Sequence, residues 1–334
     1  MKVVVTGGSG FLGQRLIRAL CERGRLTDGS GRERAIERIV AVDVGRCSEP
    51  FADDRLGYVS GNVADASFVG HVLDADTDSV FHLAAVVSGE AERDFDLGMR
   101  VNVDGTRGLL EACRRQPRPP KLVFASSVAV FGQPLPQVVT DSTAPTPQAS
   151  YGVQKLISEL LVGDCSRKGF IDGRCVRLPT IVVRPGKPNA AASSFASGIM
   201  RKPLAGQQAI CPVEPSTGMW MASPGTAVKA LLHAHELPAL AWGTQRSLNL
   251  PGLTATVAEM IEALRQAAGE AAAARVRFEP DESIARIVRS WPARFDTARA
   301  RSMGFPQDAD FASILRDYMQ QYASSVEISA GGSG

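Results

Sequence analysis

No apolar run in these 334 residues approaches the ~20 consecutive residues that a membrane-spanning helix requires. The N-terminus lacks a leader pattern as well, because its short apolar segment runs straight into glycines. An excess of one charge is missing: 37 Lys and Arg against 35 Asp and Glu leave +2, no footing for nucleic acid or an anionic membrane as partner. The six cysteines (Cys21, Cys47, Cys113, Cys165, Cys175, Cys211) show no C-x-x-C spacing. That argues against a zinc site or a disulfide framework and for reduced thiols in a cytoplasm. His233 and His235 stand two apart in an Ala/Leu-rich helical pattern, so they point different ways, and no metal site is expected. Internal repeats and long linkers are absent too. The length suits one large or two modest domains, and the expectation is two lobes sharing an interface and a cleft.

What is present is concentrated at the start. Val3-Val4-Val5 is the β-branched run of a fully buried parallel strand. Gly7, Gly10 and Gly13 follow in G-x-x-G-x-x-G spacing, with Phe11 and Leu12 between the last two, and Gln14–Leu20 then reads as a helix. Such glycines permit a tight turn, close approach of backbone to a pyrophosphate, and close helix–strand packing. The helix N-terminus supplies N–H groups and partial positive charge. A bare β-turn-α is the bland alternative, but strand, motif and helix in this order favour dinucleotide binding.

Residues 24–37 read as a polar excursion before a second strand, residues 38–44. Asp43 at its tip is the acid that accepts adenosine ribose hydroxyls and repels a 2′-phosphate, so NAD is expected over NADP despite Arg46 nearby. Further strands are expected around residues 57–60, at 80–85 and at 121–127, with a helix over 107–113. Strands alternating with helices imply an α/β fold with a doubly wound parallel sheet. Ligands of such sheets lie beyond the strands' C-terminal ends, where the glycines, Asp43, Ala84 and Ser127 would converge.

Tyr151 and Lys155 open another helix at i and i+4, one face. An ammonium beside a phenol stabilises the phenolate, so the Tyr151 pKa is expected to fall from its ordinary ~10 toward the range of a general base. A half-buried tyrosine beside a solvated lysine is the bland reading. The upstream Ser126-Ser127 pair at a strand end favours the catalytic one.

With these pieces in place, the chain resembles the extended short-chain dehydrogenase/reductase family over most of its length. The resemblance is carried by residues 6–13, Asp43, His82-Leu83-Ala84-Ala85, residues 102–106, Ser126-Ser127 and Tyr151/Lys155. It implies a Rossmann sheet carrying NAD and a catalytic set of Ser127, Tyr151 and Lys155. It also implies cofactor contacts from Gly7, Gly10, Phe11, Leu12, Gly13, Asp43, Asn62, Val63, Leu83, Ala84, Ala85, Asn102, Tyr151, Lys155 and Pro179. Asn62-Val63 departs from the family's usual Asp-aliphatic pair at the adenine, though the Asn62 amide oxygen can still accept from the adenine amino group. Which of Ser126 and Ser127 is catalytic stays open in the sequence.

Residues 177–195, 248–253 and Ser290-Trp291-Pro292 resemble the branch that acts on D-erythronate. This implies oxidation of the C2 hydroxyl of a small sugar-acid substrate. A polyhydroxy acid needs a cation for its carboxylate and partners for its hydroxyls, and Thr180, Arg184, Ser193 and Arg201 are available alongside Ser127 and Tyr151. Arginine suits a carboxylate through bidentate geometry, although Arg184 before Pro185 also fits a loop anchor. The rival readings are a nucleotide-sugar 4-epimerase or dehydratase with tightly held NAD, and a non-catalytic NAD-binding protein. The expected organisation is a dinucleotide domain over 1–175, mainly a smaller mixed substrate lobe over 176–328, and a flexible tail over 329–334. Residues 254–268 are expected to be helical with Thr254 or Thr256 as cap, and 282–288 and 308–322 also to be helical. A homodimer is the expected assembly.

Overall fold

The computed structural model describes residues 1–47, 50–186 and 190–330, the last eight of these by backbone alone. Seven strands form one parallel sheet: β1 (Lys2–Thr6), β2 (Arg38–Asp43), β3 (Leu56–Ser60), β4 (Thr77–His82), β5 (Lys121–Ser127), β6 (Asp172–Leu178) and β7 (Ser247–Asn249). Their spatial order is β7-β6-β5-β4-β1-β2-β3, a doubly wound arrangement with β1 inside and the order reversing beside it. The helices in chain order begin with α1 (Phe11–Arg23), α2 (Ala66–Val72), α3 (Ser88–Arg93), α4 (Gly105–Arg114) and α5 (Ser150–Arg167). They continue with α6 (Ser194–Leu204), α7 (Pro224–Glu236), α8 (Val257–Ala268), α9 (Glu282–Arg289) and α10 (Phe311–Ala330), which kinks at Tyr322.

Alternation along β1 distributes its side chains between two cores. Val3 and Val5 pack with Leu16, Ile17 and Leu20 of α1 and Val228 and Leu231 of α7. Val4 packs on the other face with Val69 of α2, Leu109 of α4 and Val162 of α5. Each such fully buried aliphatic side chain contributes on the order of 2 kcal/mol. α1 stops at Gly24, whose positive φ of 66° lets its N–H reach back to the Leu20 carbonyl.

A smaller lobe holds the third core. Gly218–Ala222 pairs parallel with Thr180–Ile181 and antiparallel with Leu253–Thr256, and α6, α8, α9 and α10 cover the result. α7 and β7, although late in the chain, lie with the main sheet.

Several local expectations are revised. Residues 25–35 are a hairpin, with Arg25 opposite Ala35 and Thr27 opposite Glu33, because Leu26 finds a fully buried seat and Glu236 of α7 accepts the Thr27 N–H and hydroxyl. β4 ends at His82 instead of Ala85, since the Ala84 N–H turns to the Thr6 hydroxyl. The helix expected from residue 254 starts at Val257, where Thr256 and Glu259 cap each other reciprocally; Thr254 lies in a strand. A π-helical turn, Met99–Asp104, runs into α4. Of the tail 329–334, Ser329 and Ala330 end α10, and 331–334 lie outside the described residues.

Candidate active site

The C-terminal ends of the strands open onto a cleft of about 660 Å³ between the sheet and the smaller lobe. The glycine loop forms its floor. Gly7 adopts a φ of +72°, and a Cβ on Gly13 would fall 2.0 Å from the Gly7 carbonyl oxygen, so turn and helix pack too tightly for any side chain there. No side chain caps α1 at Gly10, and its first turn holds no acid, so the helix N-terminus is left to an anion. Asp43 stands beside it, accepting the Ser9 and Gly45 N–H groups at 3.0 and 3.1 Å. Arg46 is exposed and does not line the cleft.

Gly7, Gly10, Phe11, Leu12, Gly13, Asp43, Asn62, Val63, Leu83, Ala84, Ala85 and Pro179 all line this cleft, together with Ser127, Tyr151 and Lys155. The side-chain-free cradle over the glycines and the uncapped helix therefore fit a dinucleotide. The Asn62 amide oxygen accepts its own turn's Ala64 N–H at 2.9 Å, which fixes the side chain in place. Asn102 is different. It is buried behind the wall, its amide bonded to the Val86 N–H and carbonyl and to Gln154, and it does not line the cleft. Its side-chain amide is engaged by Val86, a wall residue, and by Gln154, so in this structure it braces the wall from behind.

The two serines both line the cleft but have different partners. Ser127 accepts the Ala129 N–H at 3.1 Å, and its hydroxyl faces the Tyr151 phenol and draws the phenol pKa down. Ser126 turns inward, donating to Glu159 of α5 at 2.5 Å. Lys155 is buried, with Nζ donating to the Ala125 carbonyl at 2.9 Å and lying 5.7 Å from the Tyr151 ring centre. The expected fall of the Tyr151 pKa is reversed: burial pushes the phenol up to about 12, against a lowering hydrogen bond from Ser127. Burial likewise brings Lys155 down to about 8, opposed by the Glu159 carboxylate. For Tyr151, desolvation thus outweighs the Ser127 hydroxyl.

On the opposite wall Thr180, Arg184 and Ser193 line the cleft. Lys187, Pro188 and Asn189 of the same stretch lie outside the described residues. Among the described residues Arg184 forms no ion pair, and burial followed by the neighbouring Arg201 charge pushes its guanidinium pKa down. Arg201 does not line the cleft. It stands behind, donating to the Arg184 carbonyl at 2.8 Å, because α6 presents it to the loop's back instead of its face.

Ser88, Glu90 and Trp291 also line the cleft, and sequence reasoning does not find them as site residues. Trp291 carries a signal, sitting in the Ser290–Pro292 stretch, whereas Ser88 and Glu90 carry none. Ser88 accepts the Ala192 N–H, tying α3 to the lobe. The histidine pair indeed diverges: His233 meets the Met303 carbonyl and His235 the Ser79 hydroxyl.

A parallel doubly wound sheet with a glycine-lined cradle and a Ser/Tyr/Lys cluster at its strand ends defines a class. The chain belongs to the NAD dependent epimerase/dehydratase family, whose model matches residues 3–242. Over 320 residues it is 53% identical to the D-erythronate dehydrogenase of Cupriavidus necator, covering 96% of this chain and 98% of that one. The D-erythronate dehydrogenase of Haemophilus influenzae is 44% identical over 320 residues, covering 96% and 99%. Among solved structures, the nucleoside-diphosphate-sugar epimerase from Agrobacterium tumefaciens superposes with a TM-score of 0.90 at 42% identity, covering 97% and 95%. Among the described residues no helix is long and apolar enough to cross a membrane.

Proposed function

We propose that this chain is an NAD-dependent dehydrogenase that oxidises the C2 hydroxyl of D-erythronate to 2-dehydro-D-erythronate. The observation that carries the reading is Arg184, which forms no ion pair among the described residues and lines the same cleft as Ser127, Tyr151 and the dinucleotide cradle. A small carboxylate held by Arg184 through charge-assisted hydrogen bonds can direct its hydroxyls to the opposite wall. Thr180 and Ser193 are suited to the remaining hydroxyls. The Cupriavidus and Haemophilus relatives are both named for this activity.

In the oxidative direction Tyr151 takes the hydroxyl proton as general base, and Ser127 hydrogen-bonds the same substrate oxygen. NAD, when bound, accepts the hydride and brings a positive charge into the cleft. Because burial holds the Tyr151 phenol up to about 12, the base needs positive charge nearby before it can ionise. Lys155, buried beneath it, supplies such a charge and is suited to the nicotinamide ribose hydroxyls. The residues of the glycine loop, Asp43, Asn62, Val63, Leu83, Ala84, Ala85 and Pro179 hold the cofactor, with Asp43 opposing a 2′-phosphate. The enzyme is read as cytoplasmic and as a homodimer.

The second reading, a nucleotide-sugar 4-epimerase or dehydratase, draws on the likeness to the Agrobacterium nucleoside-diphosphate-sugar epimerase. Absorbance at the NADH band, with purified protein, NAD and a panel of four-carbon sugar acids, separates the two. NADH accumulation with D-erythronate, and little with threonates or with NADP, is expected. Silence across the panel with turnover of a nucleotide sugar would overturn the dehydrogenase reading.

A further inference from the structure

Two consecutive residues near the end of β5 are each tied to a different residue of one stripe of α5. The Ala125 carbonyl accepts from Lys155, and the Ser126 hydroxyl donates to Glu159. Tyr151, Lys155 and Glu159 follow at i, i+4 and i+8, so these two bonds hold the strand end, with Ser127 next along it, against the helix face that carries Tyr151. The Glu159 tie is itself anchored. Both Glu159 carboxylate oxygens accept from Arg177 of β6, at 2.7 to 3.1 Å, and Arg177 continues to Asn249 of β7. The Glu159 and Arg177 side chains are 2% and 7% exposed, so neither can relax into solvent.

We propose that Ser126 and Glu159 are positioning residues for the reaction, their bond fixing the β5 end against α5 so that the Ser127 hydroxyl meets the Tyr151 phenol. The inference rests on the reading of Tyr151 as the base. Its physical reason is leverage: Ser126 and Ser127 share a peptide, so a shift at one moves the other. Without the inward bond, the strand end loses its Glu159 tie and is held to α5 by the Lys155 bond and by apolar packing such as Leu156 against the Val128 and Val130 cluster. Misplacement of reacting groups by about 1 Å can cost on the order of a hundredfold in rate. A carboxylate is the right acceptor because it takes the Ser126 hydroxyl and the Arg177 fork together, which an amide cannot.

The charged groups around Tyr151 are Lys155 and Glu159 on its own helix, Glu92 of α3, which accepts the Ser150 N–H, Glu90 of α3 in the cleft, and Arg184 in the facing wall. Replacing Ser126 alters none of these charges; only Glu159 loses a hydrogen bond, and it keeps its Arg177 partner. Ser126→Ala is therefore the primary test, since Glu159→Gln strands a buried Arg177 and threatens folding. In Ser126→Ala, kcat for D-erythronate is expected to fall about tenfold or more, with KM for acid and NAD each within about threefold. The alkaline rise of kcat should move to higher pH, because Tyr151 loses the hydrogen bond that lowers its pKa. Ser126→Thr, which keeps the hydroxyl, should restore most of the rate. Unchanged kcat and pH profile in Ser126→Ala, or equal impairment in Ser126→Thr, would overturn the proposal. If the wild-type protein does not oxidise D-erythronate, the functional reading fails separately. A crystal structure of Ser126→Ala then decides: Ser127 out of reach of Tyr151 supports the positioning role, and an unmoved pair refutes it.

Discussion

The two walls of the cleft are made of different material. The dinucleotide wall is backbone: a loop in which Gly7 has positive φ and Gly13 admits no Cβ, leading into a helix terminus that no side chain caps. The facing wall is side chain: Thr180, Arg184 and Ser193 on segments of the smaller lobe, with Arg201 behind. Backbone recognition serves a constant group such as a pyrophosphate, because N–H groups are the same whatever residue carries them. Side-chain recognition serves whatever distinguishes one substrate from another. Between the walls stand Ser127, at the end of β5, and Tyr151, in the first turn of α5, the pair proposed to react.

This contrast can be broken or sharpened by substitution, beginning with the largest effect. Tyr151→Phe is expected to reduce turnover by about three to four orders of magnitude, the upper range for a general base, while NAD affinity measured by fluorescence titration stays within about threefold. Normal turnover in that variant would remove the assignment.

Gly13→Ala should do the reverse to the opposite wall. Its Cβ would meet the Gly7 carbonyl oxygen at 2.0 Å, so the loop must open, and NAD affinity should drop by about a hundredfold or more. Calorimetric titration with NAD tests this; unchanged affinity would show that the cradle is not the binding surface.

Arg184→Gln comes next. Loss of one charge-assisted hydrogen-bonding group costs about 1.5–3 kcal/mol, so KM for D-erythronate should rise about 10- to 150-fold with KM for NAD unchanged. A rise in KM for NAD instead would place Arg184 on the wrong side of the comparison.

The smallest effect concerns stability beneath the dinucleotide wall. His82 is buried between the Thr6 and Thr106 hydroxyls, and burial pushes its pKa down to about 3. Between the ordinary value of ~6.5 and about 3 the unfolded chain binds a proton that the folded chain refuses. His82 therefore withdraws stability as pH falls through that window, by about 1.4 kcal/mol per pH unit once well below 6.5. Urea unfolding at pH 7 and pH 5 should show this loss, and His82→Gln should reduce the slope by one proton. An unchanged slope would mean that His82 is already accessible to water in the folded protein.

The dinucleotide wall is far more legible in the sequence than the facing one. Backbone sites need glycines at set spacings and an acid at a strand tip, and both are local patterns; the residues of that wall named from sequence line the cleft, apart from Asn102. Asn102 sits in a recognisable stretch, but where its amide points depends on Val86 and on Gln154, 52 residues away. On the facing wall, Arg184 and Arg201 are equivalent in sequence, and only the packing of α6 behind the loop puts one in the cleft and the other on its back. The same limit hides Glu90, which has no periodic or motif signal.

What the sequence by itself determined was periodic or local: the buried β-branched strand, the glycine turn, the i and i+4 pairing of Tyr151 with Lys155, and so the α/β class and the place of the cleft. Only the tertiary structure decided which of two adjacent serines bonds Glu159 and which arginine faces the cleft, and that burial raises the Tyr151 pKa. The physical reason is the same in each case. Direction of a side chain and depth below the surface are set by elements distant in the chain, and a short motif carries no information about them.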